Sequence, residues 1–301
     1  MIIRILLVCL LFLSACSRAL ADAPPSAARD ENRELAKAEA GITSYQSLNE
    51  WAGTFLFKNY EREDKGQMKL LATDRVRFMS LGPKWRIEQE LLGEDGKAKS
   101  LTIEVFDGQR NWIYQERRGG SIKAGMINTR KNDSEPSRDP THPDLCIPAQ
   151  EVRATVMGGP SRKNVVLNYY AGQPTGAPKD TKAFVGLGRD GWPGWTAMFL
   201  DPARQYAPVE IWGGVTGVSG VNKTVFSSWR TDENGRLYAG QMVEEIHSPP
   251  ERFEVMFSVT VEEFHRKVDP KLVENIAFPK GTPVMIDMDS TSRHTVGEEK
   301  H

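Results

Sequence analysis

The run Trp51-Ala52-Gly53-Thr54-Phe55-Leu56-Phe57-Lys58, followed at 67–82 by QMKLLATDRVRFMSLG, decides the fold class. Phe55 and Phe57 alternate with Thr54, Leu56 and Lys58. Met68, Leu70, Ala72, Val76 and Phe78 alternate with Lys69, Thr73, Arg75 and Arg77. A period of two sends successive side chains to opposite faces of a strand, so one face is covered and the other is wet. Strands buried on both faces, as in parallel α/β sheets, would read as continuous apolar runs instead.

The pattern repeats outward from there. KWRIEQELL (84–92) sets Trp85, Ile87 and Leu91 against Arg86, Glu88 and Glu90. SLTIEVFDG (100–108) carries Leu101, Ile103 and Val105, and RNWIYQE (110–116) adds Trp112 and Tyr114. Gly93-Glu94-Asp95-Gly96 and Asp107-Gly108 separate these runs, and Asp-Gly favours tight hairpins because glycine accepts positive φ. Strand candidates resume at WTAMFLD (195–201), APVEIWGG (207–214), NKTVFSSWRTD (222–232), RLYAGQMVEEIHS (236–248) and RFEVMFSVTVEEF (252–264), with Asn234-Gly235 as a further hairpin turn. Asp269-Pro270 reads as a helix cap and first position. An antiparallel meander follows from this pattern; parity leaves open which face is concave.

Residues 117–194 break the rhythm. RRGGSIKAGMINTRKNDSEPSRDPTHPDL is polar and rich in turn formers, with short strand candidates at VRATVMGG and VVLNYYAG. This stretch is expected to be an irregular insertion in a single domain spanning 42–289. The polar end, 290–301, is expected to be disordered.

The N-terminus reads as a processing segment. Residues 2–15, IIRILLVCLLFLSA, are too short an apolar run for a bilayer span of roughly 20 residues but suit a signal h-region. Leu13-Ser14-Ala15-Cys16 resembles a bacterial lipobox, which implies cleavage before Cys16 and lipid attachment there. Ala19-Leu20-Ala21 offers a competing site before Asp22 that would release a soluble protein. Residues 1–21 are the signal region, and 22–41 a tether leading into an N-terminal helix.

The chain has 301 residues with 39 basic against 40 acidic side chains. Nucleic-acid partners are therefore not expected, since no basic surplus exists to displace phosphate counterions. Cys146 lies in the body without a second thiol, so no disulfide framework is available. No G-x-S-x-G or H-E-x-x-H motif occurs, and His142 with Cys146 makes an incomplete ligand set. No catalytic residue, metal or cofactor is expected. Trp192, Trp195 and Trp212 lie close in sequence and could stack a sugar, although tryptophan is as readily a core anchor.

Several features together resemble the outer-membrane lipoprotein carrier superfamily, the LolA- and LolB-like periplasmic proteins. They are Ile42-x-Ser44-Tyr45 before the GTFLF strand, and Glu104-Val105-Phe106-Asp107-Gly108 with Asn111-Trp112-x-Tyr114. Tyr206-Ala207-Pro208-Val209-Glu210-Ile211 and the closing Glu274 to Gly281, with Val284 and Asp287, complete the set. The resemblance implies a mainly β (α+β) fold: a large curved antiparallel sheet forming a half-open barrel, with a few short helices as a lid.

It also implies an apolar concavity on the periplasmic side of a bacterial membrane, binding lipid acyl chains or acylated lipoproteins. The alternative is an envelope sensor or protein-interaction module on the same fold, without lipid cargo. The candidate lining residues are Phe55, Phe57, Leu70, Phe78, Trp85, Ile87, Ile103, Trp112, Phe253, Val255 and Phe257, and a plain packed core is the competing reading of each.

Overall fold

The computed structural model describes residues 33–38, 50–62, 67–82, 84–118, 123–128, 165–170, 176–188, 194–215, 221–235, 237–248, 252–265, 267–274, 277–286 and 289–296. The signal region with Cys16, the Ile42-x-Ser44-Tyr45 stretch, Cys146 and Trp192 lie outside them.

A short helix α1 (33–38) precedes the first block of strands. These are β1 (Glu50–Arg62), β2 (Met68–Leu81), β3 (Lys84–Leu92), β4 (Ala98–Phe106), β5 (Asn111–Arg117) and β6 (Lys123–Asn128). The next are β7 (Val165–Tyr170), β8 (Lys182–Gly188), β9 (Gly194–Asp201) and β10 (Ala207–Val215). Then come β11 (Val221–Thr231), β12 (Leu237–Ser248), β13 (Arg252–His265), helix α2 (Pro270–Glu274), β14 (Pro283–Ile286) and β15 (Asp289–Thr295).

All the strands among the described residues join one 15-stranded sheet in the order β15-β14-β6-β5-β4-β3-β2-β1-β13-β12-β11-β10-β9-β8-β7. The two blocks seen in the sequence are thus the two wings of a single sheet, joined where β1 pairs with β13. It curves into the half-open barrel that the resemblance implies. β-Bulges at Thr54/Phe55, Asn59/Tyr60 and Glu244/Glu245 supply local bending, because an extra residue in one strand increases its twist.

The anticipated turns are present. Gly108 and Gly235 adopt φ of 96° and 74°, which only glycine takes without strain. At the first of these the Asp107 carboxylate accepts from the Gln109 and Arg110 amides at 2.8 and 2.7 Å and from the Trp112 indole at 3.1 Å. Burial pushes the Asp107 carboxyl up, but these donors and the Arg110 charge together hold it below the usual range. Asp269 caps α2 as its sequence position indicated, accepting from the Lys271 amide at 3.0 Å.

Three expectations need correction. The stretch 117–194 is not simply an irregular insertion, since it contributes β6, β7 and β8 to the sheet. Residues 290–295, expected at the start of a disordered end, belong to β15, which pairs with β14. Polar sequence was a poor guide there because edge strands commonly carry polar and charged side chains. Finally, the helices are not both a lid. α1 packs on the inner face through Leu35 and Ala38, whereas α2 lies outside, with Val273 beside Met79.

Candidate functional site

Directly opposed residues in a ladder share a face, so register assigns every strand position to the inside or outside of the curve. Phe55 opposes Val76, Gly53 opposes Phe78, and Trp85 opposes Ser80. This inner face is filled. Phe55, Phe57, Phe78, Trp85 and Ile87 are all buried in one cluster that continues through Val261, Met242 and Phe226 to Met198 and Phe184. Trp51 anchors one end, its ring 4.4 Å from Phe78 and 5.8 Å from Phe264 between centroids.

Burial relaxes toward the other end. Phe57 meets a half-buried Phe257 at 5.5 Å, but beyond the bulges at Asn59/Tyr60 and Glu244/Glu245 Leu70 opposes Tyr60 and Val255 opposes Glu245, so both turn to the outer face. Phe253 opposes His247 in the β12–β13 ladder, but its side chain lies outside the described residues. The trough is sealed at the Trp51 end and loosens toward Phe257.

Ile103 and Trp112 do not join the others. Trp85 opposes Phe106 and Ile87 opposes Glu104, so Thr102, Glu104 and Phe106 are the inner positions of β4. Ile103 and Trp112 share the outer face, where the Trp112 and Tyr114 rings pack on Phe278 at 5.9 and 6.4 Å. Alternation within a strand cannot say how it aligns with the next. Turn geometry sets that, and one residue of slip exchanges the faces.

The sequence reading missed α1 as a resident of the trough. Leu35 and Ala38 pack into the inner cluster, and the Tyr206 hydroxyl donates to the Glu34 carboxylate at 2.8 Å. Tyr206 and the preceding Gln205 hold φ of 59° and 56°, left-handed values that cost a side-chain-bearing residue roughly 1–3 kcal/mol each. The Lys37 ammonium, 2.6 Å from Glu34, is the main cause holding the Glu34 carboxyl below its ordinary range. Burial opposes it, and the Tyr206 hydrogen bond reinforces it.

Trp195 and Trp212 pack around Phe199 in a separate outer cluster, Trp212 meeting Phe199 edge-on at 4.9 Å. Both tryptophans are half-buried there and serve as packing for Phe199. Among the described residues no cluster of His, Cys, Asp and Glu could hold a metal ion. No described helix is long and apolar enough to cross a membrane.

No protein-family model matches the chain, and no curated protein matches it. Solved structures similar to it include a domain from Vibrio parahaemolyticus provisionally assigned to outer membrane lipoprotein sorting, at 11% identity and a TM-score of 0.45. That match covers 80% of this chain and 95% of the other. A DUF1329 family protein from Desulfovibrio piger matches at 9% identity and a TM-score of 0.38, covering 80% and 96%. An uncharacterized conserved protein from Thermus thermophilus matches at 12% identity and a TM-score of 0.31, covering 84% and 99%.

Proposed function

We propose that this chain is an exported, non-enzymatic interaction or sensor module of the bacterial envelope. It is tethered through Cys16 on the periplasmic side and engages its partner from the surface of the half-barrel. The observation that carries this reading is the filled trough: Phe55, Phe57, Phe78, Trp85 and Ile87, with Leu35 and Ala38 of α1, occupy the space an acyl chain would need. Interiors pack at the density of organic crystals, so hydrocarbon enters only if these side chains leave. Native mass spectrometry of the purified chain with solvent extraction of bound lipid tests it. The module reading expects the bare mass and no co-purifying lipid; stoichiometric lipid would overturn it.

A second reading, an acyl-chain or lipoprotein carrier, draws on the loose end of the trough. There the half-buried Phe257 offers apolar surface, and each buried methylene of a ligand would contribute about 0.8 kcal/mol. In that case extracted lipid would be lost on Phe257→Asp, a substitution at the half-buried edge of the packed cluster.

A further inference from the structure

The outer face of the sheet holds a cleft of about 250 Å³, at positions whose alternation marks them as plain wetted surface. Two ladder rows cross it. In the first, Glu263 of β13, Thr54 of β1, Arg77 of β2 and Glu88 of β3 stand side by side. In the second the sequence is His265, Ala52, Met79 and Arg86. Leu272 of α2 also lines the cleft and is largely exposed. One wall therefore carries Glu263 and His265, the other carries Arg77 and Arg86 together with Glu88, and the floor between them is Ala52, Met79 and the buried Thr54.

The charges on the two walls are not equally engaged. Arg86 is 14% exposed and tightly held, its Nε 2.7 Å from Glu88. Arg77 is 58% exposed and reaches Glu88 through Nη1 at 3.5 Å, which leaves most of its five N–H donors for solvent. Glu263 accepts from the Thr54 hydroxyl at 3.5 Å and, among the described residues, has no cationic partner. Thr54 stands between Glu263 and Arg77, whose backbones are two strand spacings, roughly 10 Å, apart. An under-used carboxylate thus faces an under-used guanidinium across a small apolar floor.

We propose that this cleft binds a small zwitterion. Its ammonium is placed on Glu263, its carboxylate or phosphate on Arg77, and its intervening aliphatic atoms on Ala52 and Met79. A guanidinium presents parallel N–H donors that match a carboxylate or phosphate in two-point contact, which a lysine would not. The volume falls just under the roughly 300–1,000 Å³ typical of drug-sized pockets and suits a ligand of amino-acid size. The same chemistry occurs in a free amino acid and in the phosphoethanolamine headgroup of a phospholipid. The inference is independent of what fills the trough, because these residues face the other way.

The test is titration of the purified chain with β-alanine and, separately, glycerophosphoethanolamine, followed by amide NMR. Acetate and ethylamine serve as single-charge controls. Saturable shifts at Gly53, Thr54 and Met79 are expected with at least one zwitterion, and which one binds distinguishes the free amino acid from the headgroup. Arg77→Gln and Glu263→Gln should each weaken binding by about tenfold or more without moving the thermal midpoint, and Arg77→Lys should recover part of it. The inference is overturned if neither zwitterion gives saturable shifts. It is equally overturned if acetate or ethylamine binds as tightly, or if the Gln variants bind like the parent.

Discussion

The Tyr206 hydroxyl donates to the Glu34 carboxylate at 2.8 Å, joining helix α1 to the turn between β9 and β10 across 172 positions of sequence. Leu35 and Ala38 also pack α1 into the inner cluster. One hydrogen bond from a strained turn therefore matters to whether the trough stays filled.

That contact has a pH signature. The folded Glu34 carboxyl lies below its ordinary value of 4.5, first because of Lys37 and then, against burial, because of Tyr206. A lowered carboxyl contributes stability that is complete above the unfolded value and is lost as pH falls through the folded one. Hydrogen exchange at the α1 amides should therefore speed up on acidification below the ordinary glutamate range. Tyr206→Phe should loosen α1 at neutral pH and leave a smaller acid response, carried by Lys37. An α1 whose exchange ignores both changes would show that packing alone holds it.

Gly53 lies beneath the Phe55 ring, where an added Cβ would be 2.6 Å from Cζ and 3.2 Å from the Glu263 carbonyl. Gly240 is tighter against backbone: a Cβ there would be 2.5 Å from the Ser228 carbonyl, in a residue already at φ 56°. Gly53→Ala and Gly240→Ala are each expected to cost about 1–3 kcal/mol by overpacking. Urea unfolding should register this as a lower midpoint with an unchanged slope.

Phe78 is fully buried on the inner face, whereas Leu70, which opposes Tyr60 beyond the bulge at Asn59/Tyr60, is 47% exposed on the outer face. Phe78→Ala should destabilise by about 3–5 kcal/mol and Leu70→Ala by less than ~0.5 kcal/mol. Chemical denaturation of the two variants checks the contrast. A neutral Phe78→Ala would mean that its surroundings are a ligand space and not a core.

Cys16→Ser should move the chain from the membrane fraction to the soluble periplasmic fraction, as read by fractionation and by loss of acyl mass from the N-terminus. A mature parent chain beginning at Asp22 would instead select the second cleavage site and remove the anchor.

Asp107 provides a control for acid sensitivity away from α1. Its carboxyl is held low by the Arg110 and Gln109 amides and the Trp112 indole against the opposing pull of burial. Its contribution is again present above the unfolded value and lost in acid. Asp107→Asn should flatten part of the acid limb of the stability profile and lower the thermal midpoint, with no effect on α1 exchange.

The strands of the meander and their tight turns were legible because they are local properties. Period-two alternation marked β1 to β5 and β9 to β13, and the Asp-Gly and Asn-Gly pairs marked the reversals. The place of the expected N-terminal helix and the strand character of β15 escaped for physical reasons. α1 is short and weakly patterned, so its place depends on Leu35, Ala38 and Tyr206 meeting far apart in the chain. β15 is polar, and only its pairing with β14 makes it a strand.

By itself, the sequence determined that the body is an antiparallel sheet greasy on one side of most strands, since alternation and turn chemistry act within a few residues. Only the tertiary structure decided which alternating sets meet. Register carried Phe55, Phe78 and Trp85 inward while turning Ile103 and Trp112 outward. It also aligned Glu263, Thr54 and Arg77 across three strands. Such juxtapositions depend on pairing between distant segments, where a shift of one residue reverses the outcome.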